Sequence, residues 1–174
     1  MRRVRYQVAC SLDGYIADPD GGFDWITPEP SFDFEAHFAR FDTLVMGRHT
    51  YTTVRARGPV FPDKEVLVAS RTLQPEEHPD VEVVRHGLRD RVRDLRAGDG
   101  GDIWLYGGGE LFAQLLEWDL VDTVEPAVVP VLLGGGIPLL PSPSVSRRLS
   151  LAGHHAYPSG MILLEYRVDP TEPG

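Results

Sequence analysis

Three successive glycines, Gly107, Gly108 and Gly109, separate a short apolar run, Ile103-Trp104-Leu105-Tyr106, from a stretch in which Leu111, Phe112, Leu115 and Leu116 recur at helical spacing. The pattern predicts a buried strand, a tight turn of bare backbone, then a helix. Such a turn lets a ligand approach the main chain closely. It also aims the unbonded N–H groups of a helix N-terminus at that ligand, which suits an anion, most often a phosphate. A plain connecting turn is the rival account, although one glycine would suffice for it. The doubly wound dinucleotide fingerprint is a poor match. It needs a third glycine where Phe112 stands, a place near the start of a domain, and an acid about 20 residues further on for the ribose. The glycines here fall late in the chain, so the expectation is a nucleotide phosphate on a different α/β scaffold.

Two other predicted strand exits carry phosphate-compatible side chains. Asp42 to Met46 reads as a buried strand closed by Gly47-Arg48-His49-Thr50-Tyr51, the start of a short helix. Glu65 to Ala69 reads as a strand leaving through Ser70-Arg71-Thr72. Arginine offers a fixed fork of donors suited to phosphate, though a solvated surface arginine is the ordinary alternative. In a parallel sheet these exits and the glycine triplet share one edge, and one elongated, phosphate-rich ligand could touch all three. A dinucleotide fits that description.

The remaining elements must position these exits. Val4 to Ser11 reads as a first strand that runs into Ser11-Leu12-Asp13-Gly14-Tyr15-Ile16-Ala17, a polar bend of the kind that carries ligand contacts; Asp13-Gly14 alone also favours a hairpin-type turn. Asp18 to Gly22 is a mobile loop by composition, and Trp25 returns apolar bulk as a flap or anchor. Ser31 is a plausible N-cap for a helix in which Phe34, His37, Phe38 and Phe41 form one face, with Asp33 and Glu35 in its first turn. Acids there complement the helix dipole, and His37 reads as a packed or half-exposed histidine. Val81 to Val84 is a short strand, and Leu88, Val92 and Leu95 mark a helix with a charged outer face. Leu120 to Glu125 begins an extended segment broken at Pro126 and Pro130, and Ile137 to Pro141 reads as a loop. Arg148 to Tyr157 and Met161 to Val168 form a final β-hairpin around Pro158-Ser159-Gly160. Strands alternate with helices early and only strands come late, so the sheet should be parallel in the middle with antiparallel strands toward the end.

The 174 residues suit one domain, taken as 1–168, with 169–174 a frayed tail. A net charge of −9 without a basic block makes nucleic acid a poor partner. No apolar run is long enough to span a membrane, and the basic start of the chain lacks the apolar stretch of a signal peptide. Cys10, the single cysteine, leaves no internal disulfide and no zinc cluster, in keeping with a cytoplasmic protein. His154 and His155 point to opposite faces of a strand, so no metal site is expected.

Six pieces together resemble the dihydrofolate reductase-like superfamily, and within it the branch of the riboflavin-biosynthesis reductase domain. They are Ser11 to Ala17, Asp24-Trp25, Val45 to Tyr51, Val68 to Arg71, Leu105 to Leu111, and Val129-Pro130-Val131-Leu132-Leu133-Gly134-Gly135-Gly136. In order and spacing they cover nearly the whole chain. The resemblance implies an α/β, three-layer mixed sheet of about eight strands flanked by helices. It also implies NADPH as cofactor, a small-molecule substrate and a homodimer. On that resemblance Ala9 and Ile16 line the nicotinamide, and Gly47, Arg48, His49 and Thr50 sit at a phosphate-binding helix start. Ser70 and Arg71 flank the adenosine 2′-phosphate. Gly107, Gly108, Gly109, Glu110 and Leu111 cradle the pyrophosphate, and Tyr106 before them also binds the cofactor. Trp25 belongs to a flap over the substrate, with His37 and Asp33 on the substrate side, and Asp13 matches the motif of the first loop.

Two positions depart from the pattern. Asp33 falls close to the place of the buried pterin-holding carboxylate of folate reductases, but Pro28-Glu29-Pro30-Ser31 shifts the register before it. Glu110 stands where an arginine can help bind phosphate, and should therefore point outward. The zinc-ligand cysteines of a deaminase half are missing. The function implied is an NADPH-dependent reductase passing a hydride to a small heterocycle or carbonyl, similar to 5-amino-6-(5-phosphoribosylamino)uracil reductase. A dihydrofolate reductase and a nucleotide-binding module without turnover are the alternatives. Asp33, and after it Asp13, are the acids expected to serve proton delivery, while dipole complementation remains the rival account of Asp33.

Overall fold

A computed structural model describes residues 1–170. Its elements are β1 (Val4–Ser11), β2 (Tyr15–Ala17), α1 (Phe34–Phe38), β3 (Phe41–Gly47), α2 (Arg48–Arg55), β4 (Glu65–Ala69), a 3-10 turn (Pro75–Glu77), β5 (Glu82–Val84), α3 (Leu88–Ala97), β6 (Asp102–Gly107), α4 (Gly109–Glu117), β7 (Thr123–Val129), β8 (Ile137–Pro138), β9 (Leu149–Ala156) and β10 (Ile162–Val168). Eight strands form one sheet in the order β5-β4-β3-β6-β1-β7-β10-β9, and β2 pairs with β8 in a separate ribbon. From β5 to β7 every pairing is parallel, whereas β10 runs antiparallel to both β7 and β9. The expected mixed sheet with its C-terminal antiparallel hairpin is therefore present. Among the described residues no helix is long and apolar enough to cross a membrane.

Alternation along the strands sorts side chains into two layers. Val4 and Tyr6 of β1 and Ile103 and Leu105 of β6 face α3 and α4, where Tyr6 stacks on Phe112 with ring centroids 3.9 Å apart. Trp104 of β6 joins Leu44, Met46, Val66, Val68 and Tyr51 in a second core on the opposite face, flanked by α1 and α2. Leu111, Phe112, Leu115 and Leu116 are all buried, as their helical spacing requires.

Four expectations are corrected. Helix α1 has only five residues, and its N-cap is Asp33 rather than Ser31; the Ser31 amide instead bonds to Glu29 Oε1 at 2.9 Å. Phe41 does not extend the helical face, because it opens β3 opposite Asp102 and is buried by the sheet. Pro126 does not break the extended segment. It lies inside β7 opposite Val8, and the β7–β10 ladder has no paired partner at Glu125 or Pro126, so its missing N–H leaves no ladder acceptor unpaired there. Ile137-Pro138, expected in a loop, is the strand β8 paired with β2. Gly136 permits that ribbon: at φ +143 a Cβ would lie 2.1 Å from the Ala17 carbonyl oxygen. Of the tail expected to fray, Asp169 is held by its amide to the Arg148 carbonyl (3.0 Å) and by its carboxylate to Ser150 Oγ (2.8 Å); residues 171–174 lie outside the described chain.

The centre of the sheet carries a buried charge pair. Arg5 donates through Nε to Glu125 Oε1 (2.7 Å) and through Nη2 to Glu125 Oε2 (2.9 Å), with the arginine side chain 1% and the glutamate 3% exposed. Burial alone would raise the Glu125 carboxyl, but bonds from Arg5, Thr123 and Gln7 outweigh it and hold the pKa below the ordinary value. Removing one partner leaves the other charge buried. Glu125→Ala should therefore destabilise the fold by about 3–5 kcal/mol, whereas Arg5→Leu with Glu125→Leu should recover most of that loss. Urea denaturation of the three proteins measures it.

Candidate functional site

The parallel register brings the predicted strand exits to one edge. Gly47 pairs with Ala69 across β3–β4, and Met46 with Gly107 across β3–β6. A Cβ built on Gly47 would sit 3.8 Å from the Gly107 carbonyl oxygen. Helix α2 starts from Gly47 and α4 from Gly108, neither with a side-chain cap. Two helix N-termini thus face the same corner, and their first N–H groups have no intrahelical acceptor.

The three glycines of the turn have different roles. Gly107 has φ +122, which favours glycine, and its peptide to Gly108 is cis. Gly109 is buried by packing, since a Cβ there would lie 2.8 Å from the Pro138 carbonyl oxygen. Gly108 is extended (φ −86, ψ −166), and a Cβ would meet only Thr50 Oγ1 at 3.7 Å. Neither backbone conformation nor crowding requires glycine at 108. What glycine leaves there is open space over bare backbone.

Basic side chains gather along this edge in an otherwise acidic chain. Arg48 and His49 are exposed at the start of α2, with Arg48 Nη2 3.3 Å from His49 Nε2. Arg71 is exposed beyond β4. Beside it Arg85 leaves β5, its Nη2 donating to the Arg71 carbonyl at 3.3 Å. Ala69 pairs with Val84, so the two exits lie side by side. Ser70 is buried, and its Oγ accepts the amides of Thr72 (3.2 Å) and Leu73 (3.1 Å), so it shapes the exit turn. Glu110 is exposed, and Leu111 is buried in the core, so Leu111 can offer a ligand only its backbone.

Next to this corner the sheet face flanked by α1 and α2 is aromatic. Tyr106 packs on Trp104 and Phe61 with ring centroids 5.0 and 5.4 Å away, and burial raises its phenol pKa. Half-buried His37 lies 5.0 Å from Phe32 and 5.8 Å from Trp104, centroid to centroid, with Nε2 2.6 Å from Gln7 Oε1. Trp104 Nε1 donates to the Gln7 carbonyl oxygen at 3.1 Å. Trp25 is half-buried, and its indole N–H is buried without a partner among the described residues. Ala9 and Ile16, both half-buried, stand on β1 and β2, which the turn bonded by Gly14 N to Ser11 O (3.0 Å) folds together.

The flap segment is tied down at both ends. Asp13 accepts the amides of Leu133 (3.1 Å) and Gly134 (2.7 Å), clamping the first loop to the second glycine triplet. Bonds from Ser11 first, then Gly134 and Leu133, lower its carboxyl pKa to about 2, so at neutral pH Asp13 has no proton to give. Glu29 accepts from the amides of Ser31 (2.9 Å) and Ser159 (3.1 Å), joining the flap to the turn of the C-terminal hairpin, and bonds from the Ser159 and Ser31 hydroxyls first, then from these amides, lower its pKa to about 2.

Gly47, Thr50, Gly107 and Gly108 are thus brought together, with the Ser70-Arg71 exit alongside. Asp33 is not buried beneath the flap. It is exposed, and its Oδ1 accepts the Ala36 amide at 2.9 Å as the cap of α1. Sequence reasoning missed Arg85, Gln7, Arg5 and Glu125. The last three left a signal: Arg5 and Gln7 alternate with Val4, Tyr6 and Val8, and Glu125 interrupts an apolar strand.

The order of the central sheet and the glycine turn opening α4 define the dihydrofolate reductase-like class of α/β proteins. The chain belongs within it to the RibD C-terminal domain family, whose model matches residues 2–163. It is 33% identical to the uncharacterized protein YwjB of Bacillus subtilis over 157 residues, covering 87% of this chain and 90% of that one. It is 27% identical to the riboflavin biosynthesis protein RibD of Mycobacterium tuberculosis over 82% of its length, but spans only 46% of that larger protein. Among solved structures, a protein of Shewanella sp. PV-4 assigned to riboflavin biosynthesis superposes with a TM-score of 0.82 at 30% identity, covering 97% of this chain and 99% of that one.

The placement of Asp33 makes its role separable. Asparagine caps a helix as well as aspartate but carries no acidic proton. Asp33→Asn should leave both stability and single-turnover rate at the wild-type level. A loss of roughly 10²–10⁴-fold in that rate, with stability unchanged, would return Asp33 to the role of acid.

Proposed function

We propose that this protein is an NADPH-dependent reductase acting on a small heterocyclic or carbonyl substrate. One observation carries the reading: two uncapped helix N-termini converge on Gly108, a position that neither packing nor backbone conformation requires to be glycine. That corner suits a pyrophosphate, held by the first amides of α4 and α2 with Thr50 beside them. Arg71 and Arg85 suit the 2′-phosphate, and no carboxylate stands at Ser70 to prefer a free ribose hydroxyl. Ala9 and Ile16 would flank the nicotinamide, with Trp25 and His37 on the substrate side. NADPH, when bound, supplies the hydride. The chain's own task is to orient the two reactants, exclude water beneath the flap and admit one proton. Family membership and the likeness to RibD support a reduction of the kind made by 5-amino-6-(5-phosphoribosylamino)uracil reductase.

The assay that tests the reading follows loss of NADPH absorbance across pterins, pyrimidinediones, quinones and aldehydes. Tight NADPH binding with no turnover on any of them would instead favour a nucleotide-binding module.

Two outcomes are expected of the cofactor site. NADPH should bind roughly 10- to 100-fold more tightly than NADH, the margin that charge-assisted bonds to the 2′-phosphate provide, and Arg85→Ala should narrow it. Calorimetry giving equal affinities would remove the assignment. Gly108→Val should fold like wild type by thermal denaturation yet lose NADPH binding, because a branched side chain would fill the space over the turn. Gly109→Ala should instead lose about 1–3 kcal/mol of stability, since its Cβ collides with backbone at Pro138. Unchanged NADPH affinity in folded Gly108→Val would make the triplet a connector.

A further inference from the structure

One face of the central sheet carries a chain of hydrogen bonds whose direction is fixed from end to end. Arg5 can only donate, and it holds both oxygens of Glu125. An ionised carboxylate can only accept. Gln7 must therefore turn its amide NH2 toward Glu125 Oε2, with which Nε2 is in contact, and its amide oxygen the other way. That oxygen lies 2.6 Å from His37 Nε2 and can only accept. Nε2 must carry the hydrogen.

We infer that Arg5, Glu125 and Gln7 act as positioning residues that lock neutral His37 in its Nε2–H tautomer, so that Nδ1 offers the substrate site a lone pair. The tautomer follows from the hydrogen-bond chain alone; the use of Nδ1 for substrate rests on the reductase reading. Nδ1 has no protein partner among the described residues and is absent from their buried, unpartnered atoms, so it reaches accessible space. The ring is held edge-on to Trp104 and against Phe32, which leaves it little freedom to flip.

The charged groups around His37 favour its neutral form. Burial lowers its pKa most, and Arg40 after α1 and Arg5 on β1 lower it further, while Glu125 on β7 opposes them. Asp33 and Glu35 are the acids of α1 itself, and both are exposed. A histidine lowered from its ordinary pKa is neutral at pH 7, and in this tautomer it accepts rather than donates. The site should therefore select a substrate that presents an N–H or O–H at this point. An acceptor placed there would face a lone pair.

Imidazole nitrogen resonances of the full chain, selectively labelled at histidine, test the proposal. Above pH 7 the Nε2–H form of His37 should exceed the other by at least about tenfold, and His37 should titrate below the ordinary histidine value. Gln7→Leu removes the acceptor and should reduce the tautomer ratio by about two- to tenfold with thermal stability showing a folded protein. A predominant Nδ1–H form in wild type, titration above the ordinary value, or an unchanged ratio in folded Gln7→Leu would each overturn the proposal. If Gln7→Leu does not fold, the wild-type ratio and titration decide it. Absence of NADPH oxidation across the substrate panel, with the Nε2–H form intact, would overturn the reductase reading and leave the tautomer lock standing.

Discussion

A single guanidinium braces four neighbouring strands. Arg5 stands on β1 and reaches Asp102 on β6 at 3.2 Å, Glu125 on β7 at 2.7 Å and Glu165 on β10 at 3.6 Å, in the order in which those strands lie across the sheet. Placing that charge beneath α1 is costly unless every donor finds an acceptor, and the two-pronged bond to Glu125 provides the geometry that makes it tolerable. The seam between the parallel strands and the antiparallel hairpin runs through this cluster. Glu125 and Pro126 have no ladder partner across that seam, so side chains cross-link what the backbone does not.

The same cluster connects stability to the cleft. Gln7 lies between Glu125 and His37, and Trp104 is fixed to the backbone of Gln7, so the floor of the aromatic pocket inherits its orientation from the buried charges. At the other end of the cleft the order comes from backbone. Parallel pairing aligns the ends of β3, β4 and β6, and two helices begin where the strands stop. Rigid strands thus set the position of both ends, and the loops supply only the cover.

What could be read from the residues was whatever depends on neighbours in sequence. The strand, glycine turn and helix of 103–116 follow from local periodicity, and so does the common edge of the three exits once parallel pairing is assumed. Other features depend on partners far along the chain. Phe41 was assigned to a helix by its spacing from Phe34, and only its pairing with Asp102 makes it a strand residue. Pro126 reads as a breaker because proline lacks a donor, yet it lies where no donor is asked of it, and Ile137 to Pro141 reads as a loop although Ile137-Pro138 finds a two-residue pairing with β2. Asp13 and Asp33 have the right chemistry for proton transfer, but backbone amides engage both: Asp33 by a capping bond three residues on, Asp13 by amides 120 and 121 positions away that no local spacing reveals. Arg5 and Glu125 are 120 positions apart, and only a fold brings them together.

The bond between Glu29 and the Ser159 amide has a consequence for how the protein comes to exist. One wall of the cleft comes from the first third of the chain and its anchor from the last hairpin, where Tyr157 also packs on Phe32 with ring centroids 5.9 Å apart. During synthesis the strand exits and helix starts of the glycine corner have all been made once α4 has emerged. The aromatic end must wait for β9 and β10, so a growing chain would pass through a stage that has made one end of the site and not yet the anchor of the other.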